Sequence, residues 1–172
     1  MKELFGWMLG LVLLCGFFYL LLHYVGEQTE VRGDSMSPTL WEGDRLIVDK
    51  ISYHFTDPKR FDVVVFPFKY QEDTFYIKRI IGLPGENVQI VDGTVYINGR
   101  ELVGDYDREA IRNPGLASDV VTLGENEYFV LGDNRNNSAD SREPSVGNIG
   151  REEIVGRAWL RVWPPERIGL LE

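Results

Sequence analysis

The sequence predicts a mainly β fold, a coiled antiparallel sheet or barrel-like domain, preceded by one N-terminal apolar α-helix. Three observations lead there. The run from Leu4 to Val25 contains no Asp, Glu, Lys or Arg in 22 residues. After Gly26 no long segment carries helical periodicity. Short runs of β-branched and aromatic residues recur instead, divided by Gly, Pro, Asn and Asp.

The apolar run comes first. At helical rise, residues 4–25 extend about 33 Å, enough for a hydrocarbon core of about 30 Å, so a transmembrane helix is expected. A cleaved leader would have a shorter apolar stretch and a small-x-small site behind it, whereas His23-Tyr24-Val25-Gly26-Glu27-Gln28 follows. Lys2 precedes the run and Glu27 and Glu30 follow it, which favours a single pass with residues 1–3 cytoplasmic and 26–172 extracytoplasmic. The expected location is therefore the cell membrane. Lys2 and Glu3 cancel, so the formal net charge of −9 belongs to residues 26–172. That charge disfavours nucleic acid as a partner and gives no general attraction to anionic lipid. Contact with the bilayer must then come from apolar insertion. Cys15 is the only cysteine, which excludes an intrachain disulfide. No cysteine cluster suggests zinc, His23 and His54 are too few for a metal site, and no cofactor is indicated.

The strands follow in order. Residues 44–51 (DRLIVDKI), 61–68 (FDVVVFPF), 74–83 (TFYIKRIIGL), 86–91 (ENVQIV), 94–99 (TVYING), 127–133 (EYFVLGD) and 156–163 (GRAWLRVW) are the candidates. Asp92-Gly93 between two of them signals a hairpin. Residues 101–124 are acidic, broken by Asn113-Pro114-Gly115, and weakly patterned, so they read as a cap or mobile excursion from the sheet.

Three stretches carry residues of chemical interest. In VRGDSMSPTLWEGD, residues 31–44, Ser35 sits in a Gly-Asp-Ser turn closed by Pro38. An attacking serine needs such exposure, with its backbone N–H free for an oxyanion, although turns of this composition also occur as plain structure. In FYIKRIIGLPGE, residues 75–86, Lys78 shares a strand face with Tyr76 and Ile80. Desolvation there disfavours the ammonium and suits a general base; the bland alternative is a lysine reaching sideways to water. In VLGDNRNNSADSREPSVGNIG, residues 130–150, a loop dense in Asp, Asn, Arg and Ser follows an apolar strand. It is either a solvated turn or a scaffold of fixed hydrogen bonds.

These blocks, in this order, resemble type I signal peptidases, the serine/lysine membrane proteases of bacteria. The matching motifs are G-D-S-M-x-P-T-L at residues 33–40, G-D-x-L-x-V-x-K at 43–50, Y-I-K-R-x-x-G-L-P-G-E at 76–86, and G-D-N-R-x-N-S-x-D-S-R at 132–142. Only residues 101–124 lack a clear counterpart. The resemblance implies Ser35 as nucleophile and Lys78 as general base, with Ser138 hydrogen-bonded to the lysine and orienting it. It implies Asp133, Asp140 and Arg142 as charged support, together with Arg79. By motif position Val31, Met36, Leu40, Tyr76 and Ile77 are the candidates to line shallow pockets for small side chains. Some members of the family carry a serine two positions before the nucleophile; this chain has Gly33 there.

The function so implied is removal of signal peptides from exported preproteins, cut after an Ala-x-Ala pattern. The partners are then secretory preproteins and the lipid bilayer, with the protein-export machinery nearby. A serine/lysine peptidase dedicated to one substrate, such as a pilus subunit, would use the same residues. A histidine-based hydrolase would need His54, which lacks a nucleophile-elbow context. An anchored β-domain that only binds partners is the non-enzymatic alternative.

Overall fold

The computed structural model describes residues 6–16, 26–71, 73–104 and 109–171. Residues 6–16 are helical. The remainder of the expected 4–25 span lies outside the described residues, and among those described no helix is long and apolar enough to cross a membrane.

From Gly26 onward the fold is mainly β. Twelve strands follow: β1 (Gly26–Glu30), β2 (Arg45–Asp49), β3 (Val63–Pro67), β4 (Phe75–Gly82), β5 (Asn87–Val91), β6 (Thr94–Ile97), β7 (Arg100–Glu101), β8 (Val121–Thr122), β9 (Glu127–Leu131), β10 (Ile149–Gly150), β11 (Gly156–Trp163) and β12 (Gly169–Leu170). They form an antiparallel sheet ordered β1-β2-β11-β3-β4-β9-β10, with β12 on β11, and a smaller sheet ordered β7-β6-β5-β8. All seven sequence-predicted strands are present. The added ones are short or, like the polar Gly26-Glu27-Gln28-Thr29-Glu30, are strands only because β2 pairs with them.

Alternation along the central strands builds three cores. Val63 and Val65 of β3 join Val31, Met36, Leu40, Leu46 and Val48 on one face of the large sheet. Val64 and Phe66 join Ile80, Tyr128 and Val130 on the other. Ile81 of β4 and Phe129 and Leu131 of β9 pack against Val88, Ile90, Val95 and Ile97 of the small sheet. The central strands are covered on both faces, which explains why their sequences read as near-continuous apolar runs.

The turn between the two sheets explains the Gly-Leu-Pro-Gly-Glu sequence. A Cβ on Gly82 would lie 2.6 Å from Val88 Cγ2, 2.7 Å from Leu123 Cδ1 and 3.0 Å from Phe129 Cβ, so the sheets meet there only over a bare backbone. Gly85 takes φ +76°. Glu86 accepts from the Leu83 N–H at 2.8 Å and grips Arg60 through two hydrogen bonds of 3.0 and 2.6 Å. The β5–β6 hairpin turns at Asp92 and Gly93 with φ of 51° and 81°, as its Asp-Gly signal demands. Asn98-Gly99 repeats the device between β6 and β7.

Residues 101–124 belong to the small sheet over much of their described length. Val121 and Thr122 form β8 against β5, and Ile111, Ala117 and Leu123 are buried in its core. The interrupted pattern hid these contacts, because single buried residues spaced by turns have no period.

The close approach at Gly82 gives a direct test. Gly82→Ala should lower the unfolding free energy by about 1–3 kcal/mol, read as a shifted urea midpoint, because Val88, Leu123 and Phe129 must all move.

Candidate functional site

Ser35 lies in the loop between β1 and β2. The loop is closed at its base, where Val31 N–H donates to Asp44 O at 2.8 Å and Gly43 N–H to Val31 O at 2.9 Å. The Asp44 carboxylate, fully buried, accepts from Trp41 N–H at 3.0 Å and from Arg167 at 2.6 Å. At the tip Ser37 N–H donates to Asp34 O at 3.0 Å, forming the turn that presents Ser35. Gly33 takes φ +76° just before it.

Lys78 reaches this serine from β4. Its Nζ is 2.8 Å from Ser35 Oγ and 3.1 Å from Ile77 O, and it stands 4.9 Å from the Tyr76 ring centroid. The residue is only 4% exposed. Burial pulls the ammonium from its ordinary 10.5 down to about 8, while the nearby carboxylates of Asp140 and Asp133 oppose the shift.

Those carboxylates are paired. Asp133 binds Arg79 through two hydrogen bonds of 2.8 and 2.7 Å, and the same arginine donates to Phe61 O at 2.7 Å. Asp140 binds Arg142 through two bonds of 2.8 Å and accepts from Gly132 N–H at 3.1 Å. All four side chains are buried. A fork-to-fork arginine–carboxylate pair satisfies both ions while fixing their orientation.

The loop after β9 closes the site from the third side. Asn134 donates its backbone N–H to Ser35 O at 3.0 Å and its side-chain amide to Asp34 O at 3.1 Å. A Cβ on Gly132 would overlap both the Ser35 carbonyl and the Ser138 hydroxyl, so glycine is required for the two loops to meet. The Ser138 hydroxyl is buried without a hydrogen-bond partner among the described residues. This differs from the lysine contact that the family resemblance implies: the ammonium directs its bonds to Ser35 and Ile77 O instead.

Beside Ser35 and Lys78 runs an open groove of about 760 Å³ between residues 28–36 and 73–78, with Asn137 and Ala139 at one wall. Four of the five expected pocket residues, Val31, Met36, Tyr76 and Ile77, line it. Leu40 does not: it is fully buried in the core beneath the loop. Two parts of the groove are open sheet edges. Among the described residues β1 pairs only with β2, and β9 pairs with β4 from Arg79 onward, leaving residues 75–78 unpaired on the side away from β3.

Ser35, Lys78, Arg79, Asp133, Ser138, Asp140 and Arg142, the residues that the motifs point to, lie in this one region. Gly132 and Asn134 join them without a role expected from sequence, although both lie within the G-D-N-R motif. Their roles depend on a loop 100 residues away in the chain, to which no local pattern points.

The family described as Signal peptidase, peptidase S26, matches residues 4–163. A probable signal peptidase I-2 of Synechocystis sp. is 44% identical over 154 residues, covering 86% of this chain and 68% of its own. Signal peptidase IB of Staphylococcus aureus is 31% identical, over 95% of this chain and 91% of its own. A crystal structure of a signal peptidase I from Enterococcus faecalis is 35% identical, covers 59% of this chain and 97% of its own, and superposes with a TM-score of 0.49.

The ion pairs separate by burial. Asp133→Ala strands the Arg79 guanidinium in the interior and should cost about 3–5 kcal/mol. Arg45→Ala removes an exposed pair with Glu30 at 3.9 Å, and should cost under about 1 kcal/mol. Paired denaturation curves check both.

Proposed function

The chain belongs to the signal peptidase family, peptidase S26, and from that premise we propose that it is a membrane-anchored serine endopeptidase using a Ser35/Lys78 dyad. One observation carries the assignment: a nearly dry lysine whose nitrogen is 2.8 Å from a serine hydroxyl at the wall of an open groove.

The reaction has two halves. In the ammonium form Lys78 donates to Ser35 Oγ; once neutral, its lone pair accepts the serine proton across the same contact. With a value of about 8, about a tenth of the lysine is neutral at pH 7, far more than an exposed lysine would offer. The Ser35 oxygen attacks the scissile carbonyl, and the Ser35 backbone N–H donates to the oxyanion. Collapse breaks the C–N bond and Lys78 returns the proton to the leaving amine. Water then takes the place of the amine. Lys78 accepts its proton and hydroxide attacks the ester carbonyl. Collapse breaks the C–Oγ bond as Lys78 hands the proton to the Ser35 oxygen, and the acid product leaves as its carboxylate with its own proton lost to water.

The substrate is an extended segment of an exported preprotein, cut after a small-x-small motif. The two open strand edges can add such a segment by main-chain hydrogen bonding. Val31, Met36, Tyr76 and Ile77 leave only shallow apolar recesses for its side chains. Ser138 orients the lysine during the reaction, its unpartnered hydroxyl accepting from Nζ when the side chain turns towards it. Residues 4–25 anchor the chain in the cell membrane with the catalytic domain outside. From Val25 to Ser35 the chain reaches at most roughly 35 Å, which keeps the nucleophile near the bilayer surface where signal peptides emerge.

Three results are expected with detergent-solubilised protein and a preprotein bearing an Ala-x-Ala site. Mass spectrometry should find the cut after the second alanine, and Ser35→Ala and Lys78→Met should both abolish it; normal cleavage by either variant sinks the dyad. The rate should rise with pH through about 8 as Lys78 deprotonates; a flat profile from pH 6 to about 9 would exclude this lysine as base. Ile77→Ala should move or broaden the cleavage site, seen as new product masses.

A further inference from the structure

We propose that Asn136 is a positioning residue for this hydrolysis, tying the loop that carries Ser138 to a strap formed by residues 109–118. The inference rests on the Ser35/Lys78 assignment and extends it to a residue that touches no reacting atom.

The Asn136 side chain uses both its acceptor and its donor on the strap. Its Oδ1 accepts from Arg112 N–H at 2.9 Å, and its Nδ2 donates to Ala110 O at 3.0 Å. Between these two bonds lies Ile111, buried in the small-sheet core, whose N–H donates to Gly93 O at 3.1 Å. The strap is therefore held by the β5–β6 turn. Gly93 takes φ +81°, and a Cβ there would crowd Ala110 at 2.9 Å, so this turn and the strap fit only with glycine.

The same strap holds the loop again beyond Ser138. Leu116 N–H donates to Arg142 O at 2.9 Å, and Arg142 Nη1 donates to Asn113 O at 3.2 Å. Gly115, at φ +55°, lets the Arg142 carbonyl approach. Residues 136–142 are thus pinned at both ends to one segment, with Ser138 between the pins. Among the described residues the Ser138 hydroxyl has no hydrogen-bond partner to fix it. Its place beside Gly132 and the Ser35 carbonyl is set by the backbone that bears it. Position 136 is one that the G-D-N-R-x-N-S pattern leaves open, and it does not line the groove. The strap lies within the one stretch without a counterpart in the family motifs.

The test compares unaltered, Asn136→Ala and Ser35→Ala forms of the full chain in detergent, well below their thermal midpoints. Cleavage kinetics on an Ala-x-Ala preprotein are combined with amide exchange at Arg112. Asn136→Ala should expose the Arg112 amide to exchange and lower kcat about tenfold with KM held within about twofold, since the loop shifts while the groove does not. Unchanged kcat with the Arg112 amide opened overturns the proposal. So does unchanged exchange at Arg112, because Asn136 then does not hold the strap. The Ser35→Ala arm separates the two claims: if it cleaves normally, the nucleophile assignment fails. If it is inactive while Asn136→Ala runs at full rate, only the strap's role fails.

Discussion

An ammonium group taken out of water must either find compensating charge or give up its proton, and the site is arranged around Lys78 under that constraint. Full compensation by a free carboxylate would keep the lysine charged at every relevant pH. No compensation would leave it without its proton over the same range. Here burial is the larger influence and two carboxylates push back, so the group stands at about 8. That balance depends on Asp133 and Asp140 lying near the lysine while each is already committed to an arginine.

The two arginine–aspartate pairs therefore do more than hold loops. A buried pair is a weak source of stability when its desolvation is counted, so stability alone does not explain two of them side by side. The first joins β4 to the loop after β9, and the second braces that loop from within. Arg79 follows Lys78 on β4 and points to the opposite face, where it fixes the loop after β9 through Asp133. Asp140 and Arg142 fix the far end of that loop, and Gly132 N–H is bound to the same carboxylate. The pairs turn polar groups that would otherwise need water into rigid parts of a dry wall.

Much of this was legible in the chain. Strand runs such as FDVVVFPF and FYIKRIIGL announced themselves through β-branched density, and the Asp92-Gly93 turn through its need for positive φ. Lys78 was conspicuous because a charge in an apolar strand is costly. The loop at 130–150 was visible as a polar cluster, but composition could not distinguish a solvated turn from a scaffold. That distinction depends on whether the loop finds Ser35, Arg79 and the strap, all distant in sequence. Leu40 shows the converse error: motif position suggested a pocket wall, yet the residue caps the core below the loop. A motif identifies neighbours in the chain, and a turn can point adjacent residues into the groove and the interior in alternation.

The second sheet follows from the same constraint. The strand that carries Lys78 runs on through Gly82 and the turn at residues 83–86 into β5, with no side chain at Gly82 to separate the sheets at the crossing. β9 then returns alongside β4 and releases the loop bearing Asp133, Asn134 and Ser138. A loop leaving a strand end towards open solvent would have to order itself by its own hydrogen bonds, at the entropic cost of every residue fixed. Bonded instead to Ala110, Arg112, Asn113 and Leu116 of the 109–118 segment, it inherits the order of a hydrophobic core that is needed for folding in any case. The small sheet thus acts as the rigid backing on which the polar wall of the site is mounted. A segment that looks peripheral in sequence lies directly behind the loop that carries Ser138.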